Sequence, residues 1–128
     1  MTRQSASGRA ARWAARLASL LVGVAYLIPI ALAITNEDPP SPSGVIILWL
    51  LGVELFLCAL AWRWQQAGGL AIVAGAVILS VVVGTGTTAA SGTRGLVIAA
   101  VYGVPFLLVG LLFLFAGRQN VEEATRAK

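Results

Sequence analysis

The sequence predicts an all-α integral membrane protein, a four-helix antiparallel bundle with both termini in the cytoplasm. Three observations support this: the apolar composition, four apolar runs of membrane-spanning length, and the distribution of arginine and lysine. Of the 128 residues, 59% are hydrophobic and only 11% are charged, whereas soluble domains are about one quarter charged. A chain this short has too little interior to bury so many apolar side chains, but a bilayer solvates the outer surfaces of its helices.

The four apolar runs lie at residues 13–34, 45–64, 69–88 and 96–116. Each is close to the length of about 20 residues that crosses the hydrocarbon core as a helix. Because no water satisfies backbone groups there, and because the runs lack the two-residue alternation of a barrel strand, each is predicted to be α-helical. The whole chain, residues 1–128, is then one membrane domain with a short basic N-terminus and a polar C-terminal tail.

The connections between the runs have the composition of turns. Residues 35–43 form a proline-rich break that predicts a loop. Gln65 to Gly69 predicts a tight turn, in which Gly68 and Gly69 supply the left-handed conformation that ends a helix. Residues 89–95 are small and weakly polar and predict a flexible third connection.

The basic residues predict the orientation. Of the nine arginines and lysines, eight lie before or near the start of the first run, near the connection between the second and third runs, or after the fourth run, all on one side of the membrane. Only Arg94, just before the fourth run, lies on the other side. By the positive-inside rule both termini and the turn at Arg63 are cytoplasmic, which makes the protein a multi-pass protein of the cell membrane. Arginines and tryptophans near the span ends are the expected interface anchors: Arg12, Trp13, Arg16, Trp62, Arg63 and Trp64.

One alternative is that the first span is a cleaved signal peptide. Basic residues precede it, and it ends in the small-x-small pattern Ala31-Leu32-Ala33. However, the apolar stretch from Leu17 is longer than the usual core of about 7 to 15 residues in a signal peptide. We therefore favour a retained first span.

Two segments carry a family resemblance. Residues 11–20 begin the first span with Arg-Trp-x-x-Arg, and residues 61–69 contain Trp-Arg-Trp followed by a glycine pair. Both resemble a family of small, uncharacterised four-span prokaryotic membrane proteins, known only as a domain of unknown function; residues 105–114 match it more loosely. The chain departs from the family pattern at Gln65, where an acidic residue is expected. The resemblance implies a fold and a topology, and it implies no activity.

Composition excludes several kinds of chemistry. The chain has no histidine, and its one cysteine is Cys58, so zinc ligand sets, an intramolecular disulfide and imidazole-dependent nucleophiles are all unavailable. The net charge of +4 comes from residues at the edges of apolar runs, so nucleic acid is not an expected partner. We expect no catalytic residue, metal, cofactor or enzyme activity.

Glu54 is the unusual residue, because it lies near the middle of the second span. A charged side chain there costs about 2.5 to 3.5 kcal/mol. Arg63 follows nine residues later, on the opposite helix face and about 13 Å along the axis, so it cannot neutralise the carboxylate. We expect Glu54 to face protein, to be mostly protonated, and to hydrogen-bond a trapped water or a hydroxyl group. The candidate hydroxyls are those of Tyr26 and Ser80, in the same layer, and of Tyr102, about one helix turn nearer the outside.

Two functions fit these features. The preferred one is a structural or accessory membrane protein that acts through contacts with lipid, a protein partner or a second copy of itself, with Glu54 as an interhelical hydrogen bond. The alternative is a small proton-coupled or cation transporter in which Glu54 binds the ion. Small residues spaced four apart also predict close helix packing: Ala15, Ser19 and Gly23; Ala71 and Gly75; Ala99 and Gly103.

Overall fold

A computed structural model describes the backbone of residues 3–36, 38 and 40–128, and the side chains of residues 8–36, 38, 40–86, 92–122 and 124–128. The described chain contains four helices: α1 (Arg3–Thr35), α2 (Pro42–Ala61), α3 (Gln65–Ser91) and α4 (Thr93–Arg126). Consecutive helices run antiparallel. The predicted all-α class is confirmed.

All four helices are long and apolar enough to cross a bilayer, which indicates a multi-pass membrane protein. The 20 residues of α2 span about 30 Å, the thickness of the hydrocarbon core. α1 and α4 have 33 and 34 residues and are about 50 Å long. The start of α1 and the end of α4 lie at the same end of the bundle, so both extend beyond α2 there.

α2 begins earlier than predicted because its first turn is well capped. The Ser41 side chain accepts a hydrogen bond from the Gly44 N–H at 3.2 Å, and Pro42 occupies the first helical position. Proline has no N–H, and that position does not require one.

The second connection differs from the predicted turn at Gly68 and Gly69. α2 ends at Ala61 and α3 begins at Gln65, so residues 62–64 make the turn and both glycines are helical. Neither glycine has a positive φ. The prediction of a left-handed glycine turn was wrong here.

The two glycines are instead points of close helix approach. A Cβ atom on Gly68 would overlap Ala61 of α2, and one on Gly69 would lie 3.0 Å from the carbonyl oxygen of Gly110 in α4. A side chain at either position would push α3 away from its neighbours, since backbone atoms cannot move aside as a flexible side chain can. Glycine serves packing here, and conformational freedom is not needed.

The third connection is also shorter than the predicted loop at residues 89–95. α3 continues to Ser91 and α4 begins at Thr93. Gly92 alone, with φ of 47°, reverses the chain, because one left-handed glycine is sufficient to end a helix.

α3 and α4 form the most closely packed pair, and the core lies largely between them. Small residues allow this: Gly103 faces Ser80, and a Cβ on Gly84 would be 3.5 Å from the Ala99 side chain. The largest fully buried apolar side chains come from these two helices: Ile72, Leu79, Val83, Phe106, Val109 and Phe113. α2 packs on α3 and α1 packs on α4, whereas α1 and α2 make much weaker contact with each other.

Candidate functional site

Glu54 lies inside the bundle, on the face of α2 that meets α3. Its side chain is 1% exposed, and neither carboxyl oxygen has a hydrogen-bond partner in the described part of the chain. Gly75 of α3 lies opposite: a Cβ there would be 2.8 Å from the carboxyl carbon of Glu54. Glycine at this position therefore makes the space that the carboxyl group occupies.

Two of the three hydroxyl groups expected to bond Glu54 bond backbone carbonyls instead. The Tyr26 hydroxyl donates to the carbonyl oxygen of Val101 in α4. The Ser80 hydroxyl donates at 2.8 Å to the carbonyl one turn earlier in its own helix. Tyr102 packs against Tyr26 with ring centroids 5.8 Å apart. Within the described residues, the expected bond from a tyrosine or serine to Glu54 is not formed, because the Tyr26 and Ser80 hydroxyls satisfy backbone carbonyls instead.

The bond from Tyr26 has a specific cause in Pro105. In a helix the Val101 carbonyl would accept from the N–H of residue 105, and proline has none. The Tyr26 hydroxyl replaces that missing donor, which matters because water is not available within a bilayer. The Tyr26 ring also lies 5.0 Å from the Phe106 ring. Tyr26 therefore fixes α1 to α4 at the proline, and the signal in the sequence was Pro105, four residues after Val101.

A second contact between helices joins α1 to the turn after α2. The Trp62 indole N–H donates to the Ser19 hydroxyl at 3.0 Å, and that hydroxyl donates to the Arg16 carbonyl oxygen at 2.8 Å. The Arg16 guanidinium carbon lies 5.7 Å from the centre of the Trp62 ring, a cation–π distance. The structure thus brings together the Arg-Trp-x-x-Arg and Trp-Arg-Trp segments.

An open cleft of about 570 Å³ adjoins this contact. We call it the basic cleft. Its lining comes from α1, the turn at residues 62–64, the start of α3 and the end of α4, and includes Arg12, Arg16, Trp62, Arg63, Trp64 and Gln66. The Asn120 amide donates to the Gln65 side-chain oxygen at 2.8 Å, which holds α4 against the start of α3 at the cleft. No acidic side chain is among the lining residues that the structure describes.

An apolar groove of about 370 Å³ lies between α1 and α2. We call it the α1–α2 groove. Its lining includes Leu20, Gly23, Val24, Leu27, Leu55 and Ala59. A Cβ on Gly23 would meet only Leu55, at 3.7 Å. α2 therefore packs less closely against Gly23 than α4 packs against Gly69.

The chemistry that these residues permit is narrow. Across the part of the chain with described side chains, no group of three or more His, Cys, Asp or Glu residues could hold a metal ion. Glu54 can bind and release a proton, and the three arginines of the basic cleft can bind an anion. Of the predicted anchors, Arg12, Arg16, Trp62, Arg63 and Trp64 line that cleft, while Trp13 is 62% exposed on α1.

Comparison with known proteins yields a family and no activity. No curated protein and no solved structure matches the chain. A family model described as Domain of unknown function (DUF7670) matches residues 2–125. That match includes the helical part of all four spans, both interhelical contacts and the basic cleft. The chain belongs to the DUF7670 family.

Proposed function

We propose that this protein is an accessory subunit of a prokaryotic cell membrane and acts by contact, with a transmembrane helix of a partner protein held in the α1–α2 groove. Both termini and the turn at residues 62–64 face the cytoplasm in this proposal. The proposal assigns no catalytic chemistry to the chain.

The observation that carries the proposal is the uneven packing of the bundle. α3 and α4 meet through glycines and leave little space, whereas α1 and α2 diverge around a groove of about 370 Å³. Gly23 and Ala59 contribute small side chains to that groove, and Leu20, Leu27 and Leu55 are among the larger ones that line it.

A protein helix suits this groove because of those small residues. Helices in membranes associate through close backbone approach at Gly, Ala and Ser. Gly23 continues a small-residue seam from Ser19, four residues earlier, and that seam is only partly covered by α2. A lipid chain gains nothing specific from a glycine, whereas a helix gains contact along its whole length.

Filling the groove tests the proposal. Gly23→Leu places a bulky side chain in the groove, and its first carbon is tolerated because the nearest atom belongs to Leu55 at 3.7 Å. Gly52→Leu is the matched control, since Gly52 is an exposed position on α2 with no atom within 4 Å of its Cβ direction. Both changes replace a helical glycine with leucine in an apolar span.

The readout is a photo-crosslinking amino acid at Val24, in the groove, compared with one at Ile78, which is 53% exposed on α3. In native membranes we expect a discrete protein adduct from Val24 only, lost in Gly23→Leu and retained in Gly52→Leu. An adduct of twice the chain mass would identify a second copy as the occupant. Lipid adducts alone, or the same adducts from both positions, would contradict the proposal.

The orientation is supported by the basic residues and can be tested separately. Cysteines introduced at Ser43 and at Arg63 should differ in labelling by an impermeant maleimide added to intact cells, with only position 43 labelled. The native thiol does not interfere, because Cys58 is 5% exposed and lies within α2. Labelling at position 63 alone would reverse the orientation.

The second candidate function is proton-coupled or cation transport at Glu54. It is favoured by the fact that Glu54 is 1% exposed and its carboxyl group has no hydrogen-bond partner in the described residues, so no hydrogen bond there ties it to a structural role. In proteoliposomes with an imposed proton gradient, a flux that disappears in Glu54→Gln while the bundle stays folded would support this candidate. If Glu54→Leu leaves accumulation, assembly and every measured phenotype unchanged, neither role for Glu54 survives.

A further inference from the structure

We propose that the basic cleft is a binding site for a phosphate-bearing anion. This goes beyond the proposed function, because the cleft is separate from the α1–α2 groove and its ligand would be an ion and not a helix.

The cleft is positively charged. Arg12 and Arg16 come from α1 and Arg63 from the turn after α2, and all three line one cavity, among whose described lining residues none is acidic. No ion pair to any of them is present in the described part of the chain. Cationic side chains that line one cleft repel one another, and a polyanion bound in the cleft offsets that repulsion. Arginine also matches the geometry of phosphate, which it can bind through two parallel hydrogen bonds.

The start of α3 lies in the same cleft. Its N-cap residue, Trp64, makes no side-chain capping bond, since an indole carries no acceptor. The first N–H groups of a helix have no partner within the helix, and together with the helix dipole they attract anions. Gln66 and Ala67, in that first turn, both line the cleft.

The Arg16 side chain is also held in place beside the cleft. Its Nε atom is buried and has no hydrogen-bond partner in the described residues. The guanidinium is held 5.7 Å from the centre of the Trp62 ring, and the Trp62 indole is itself fixed by its bond to Ser19. A phosphate oxygen cannot reach that buried atom, but the Arg16 side chain also lines the cleft, so the rest of its guanidinium group is the part that meets the anion.

The position of the cleft makes it accessible to two sources of phosphate, an anionic lipid headgroup and free phosphate in solution. α1 and α4 extend beyond α2 at this end, and Trp13 and Trp64, here 62% and 58% exposed, suit the level of the lipid headgroups. The phosphate of an anionic lipid therefore lies at the right depth. Free phosphate in the adjoining water has the same recognition chemistry, so the experiment must separate the two.

The experiment is a binding titration of the full chain, purified in an uncharged maltoside detergent and followed by tryptophan fluorescence. The probes are short-chain phosphatidylglycerol, phosphatidylcholine with the same chains, and inorganic phosphate. We expect saturable binding of phosphatidylglycerol and none of phosphatidylcholine over the same range. Saturable binding of inorganic phosphate, weakened by the same substitutions, would identify the free anion as the ligand of this site.

The decisive variants are Arg16→Gln and Arg63→Gln, with Arg118→Gln as the matched control. Arg118 is exposed on α4 near the same end of the bundle and does not line the cleft, so its loss changes the net charge equally. Loss of one charge-assisted contact should raise the Kd about tenfold, and the control should leave it unchanged. Equal weakening by Arg118→Gln would reveal diffuse charge attraction and overturn the site.

Gln66→Glu is a further variant that should weaken phosphate binding without unfolding the protein. It adds a carboxylate of the same shape to the cleft, and the start of a helix favours an acid there, so the bundle is kept while phosphate is repelled. Binding by Gln66→Glu as tight as by the unaltered chain would overturn the proposal, as would the absence of saturable binding of every probe.

Discussion

Removing the Tyr26 hydroxyl should destabilise the bundle because the Val101 carbonyl would lose its donor. In Tyr26→Phe the ring remains, so its contacts with Phe106 at 5.0 Å and Tyr102 at 5.8 Å are kept. A buried carbonyl without a donor costs about 1 to 3 kcal/mol, and hydrogen bonds between membrane helices average about 0.6 and reach about 1.7 kcal/mol. The free energy of unfolding should therefore fall by about 1 to 2 kcal/mol.

The role of Pro105 makes this prediction specific. Pro105→Ala restores an N–H four residues after Val101, and the carbonyl can then be satisfied within α4. In that background Tyr26→Phe should cost about 1 kcal/mol less than in the unaltered chain, a coupling that a double-mutant cycle measures directly. A purely steric role for the Tyr26 side chain would give no coupling, because Phe preserves the ring.

The assay is reversible unfolding in bicelles, by steric trapping or by titration with dodecyl sulfate. Tyr102→Phe is the control: it also removes a phenolic hydroxyl from the same cluster, and within the described residues that hydroxyl makes no hydrogen bond, so the expected change is below about 0.5 kcal/mol. Equal costs for Tyr26→Phe with and without Pro105 would refute the reasoning. So would equal costs for Tyr26→Phe and Tyr102→Phe.

Two further predictions concern the other interhelical contacts. Gly75→Ala should lower the free energy of unfolding by about 1 to 3 kcal/mol, since the new methyl group overlaps the Glu54 carboxyl. Gly86→Ala is the control, because it is the same change in the same helix and a Cβ there would meet no atom within 4 Å. It should stabilise α3 by up to about 1 kcal/mol. Equal effects of the two substitutions in the unfolding assay would contradict the packing argument. Trp62→Phe removes the indole N–H that donates to the Ser19 hydroxyl at 3.0 Å and should lower the free energy of unfolding by about 0.5 to 1.5 kcal/mol. Amide hydrogen exchange in the first half of α1 should then be faster. Unchanged exchange would count against that contact.

The helices could be predicted from the sequence because an apolar solvent leaves the backbone little choice. Every peptide group in the bilayer must bond within its own segment, so run length and composition determine element type. The turns were harder, as Gly68 and Gly69 illustrate. Glycine permits either a left-handed turn or a close helix approach, and only the positions of Ala61 and Gly110 decide between them.

The candidate sites could be predicted only in part, for a similar reason. The cost of a carboxyl in lipid predicted that Glu54 faces protein, and the structure buries it against Gly75. Its partners could not be predicted, because a hydroxyl at the right depth can bond a carboxyl or a carbonyl, and the choice for Tyr26 depended on the carbonyl that Pro105 leaves free. The basic cleft required the tertiary fold, since it joins α1 to a turn more than forty residues later in the chain.

The polar side chains of the interior differ in whether they have a hydrogen-bond partner within the described fold. The Tyr26 hydroxyl donates to a carbonyl of a neighbouring helix, and the Ser80 and Ser19 hydroxyls donate to carbonyls of their own helices, so each of the three has a partner within the fold. Glu54 differs from these residues. It removes a carboxyl group from water without a donor in the described residues, and it requires glycine at position 75, which costs a helix up to about 1 kcal/mol relative to alanine. An apolar side chain at position 54 should therefore give a more stable bundle, and this imbalance is what favours ion binding at Glu54 as the second candidate function.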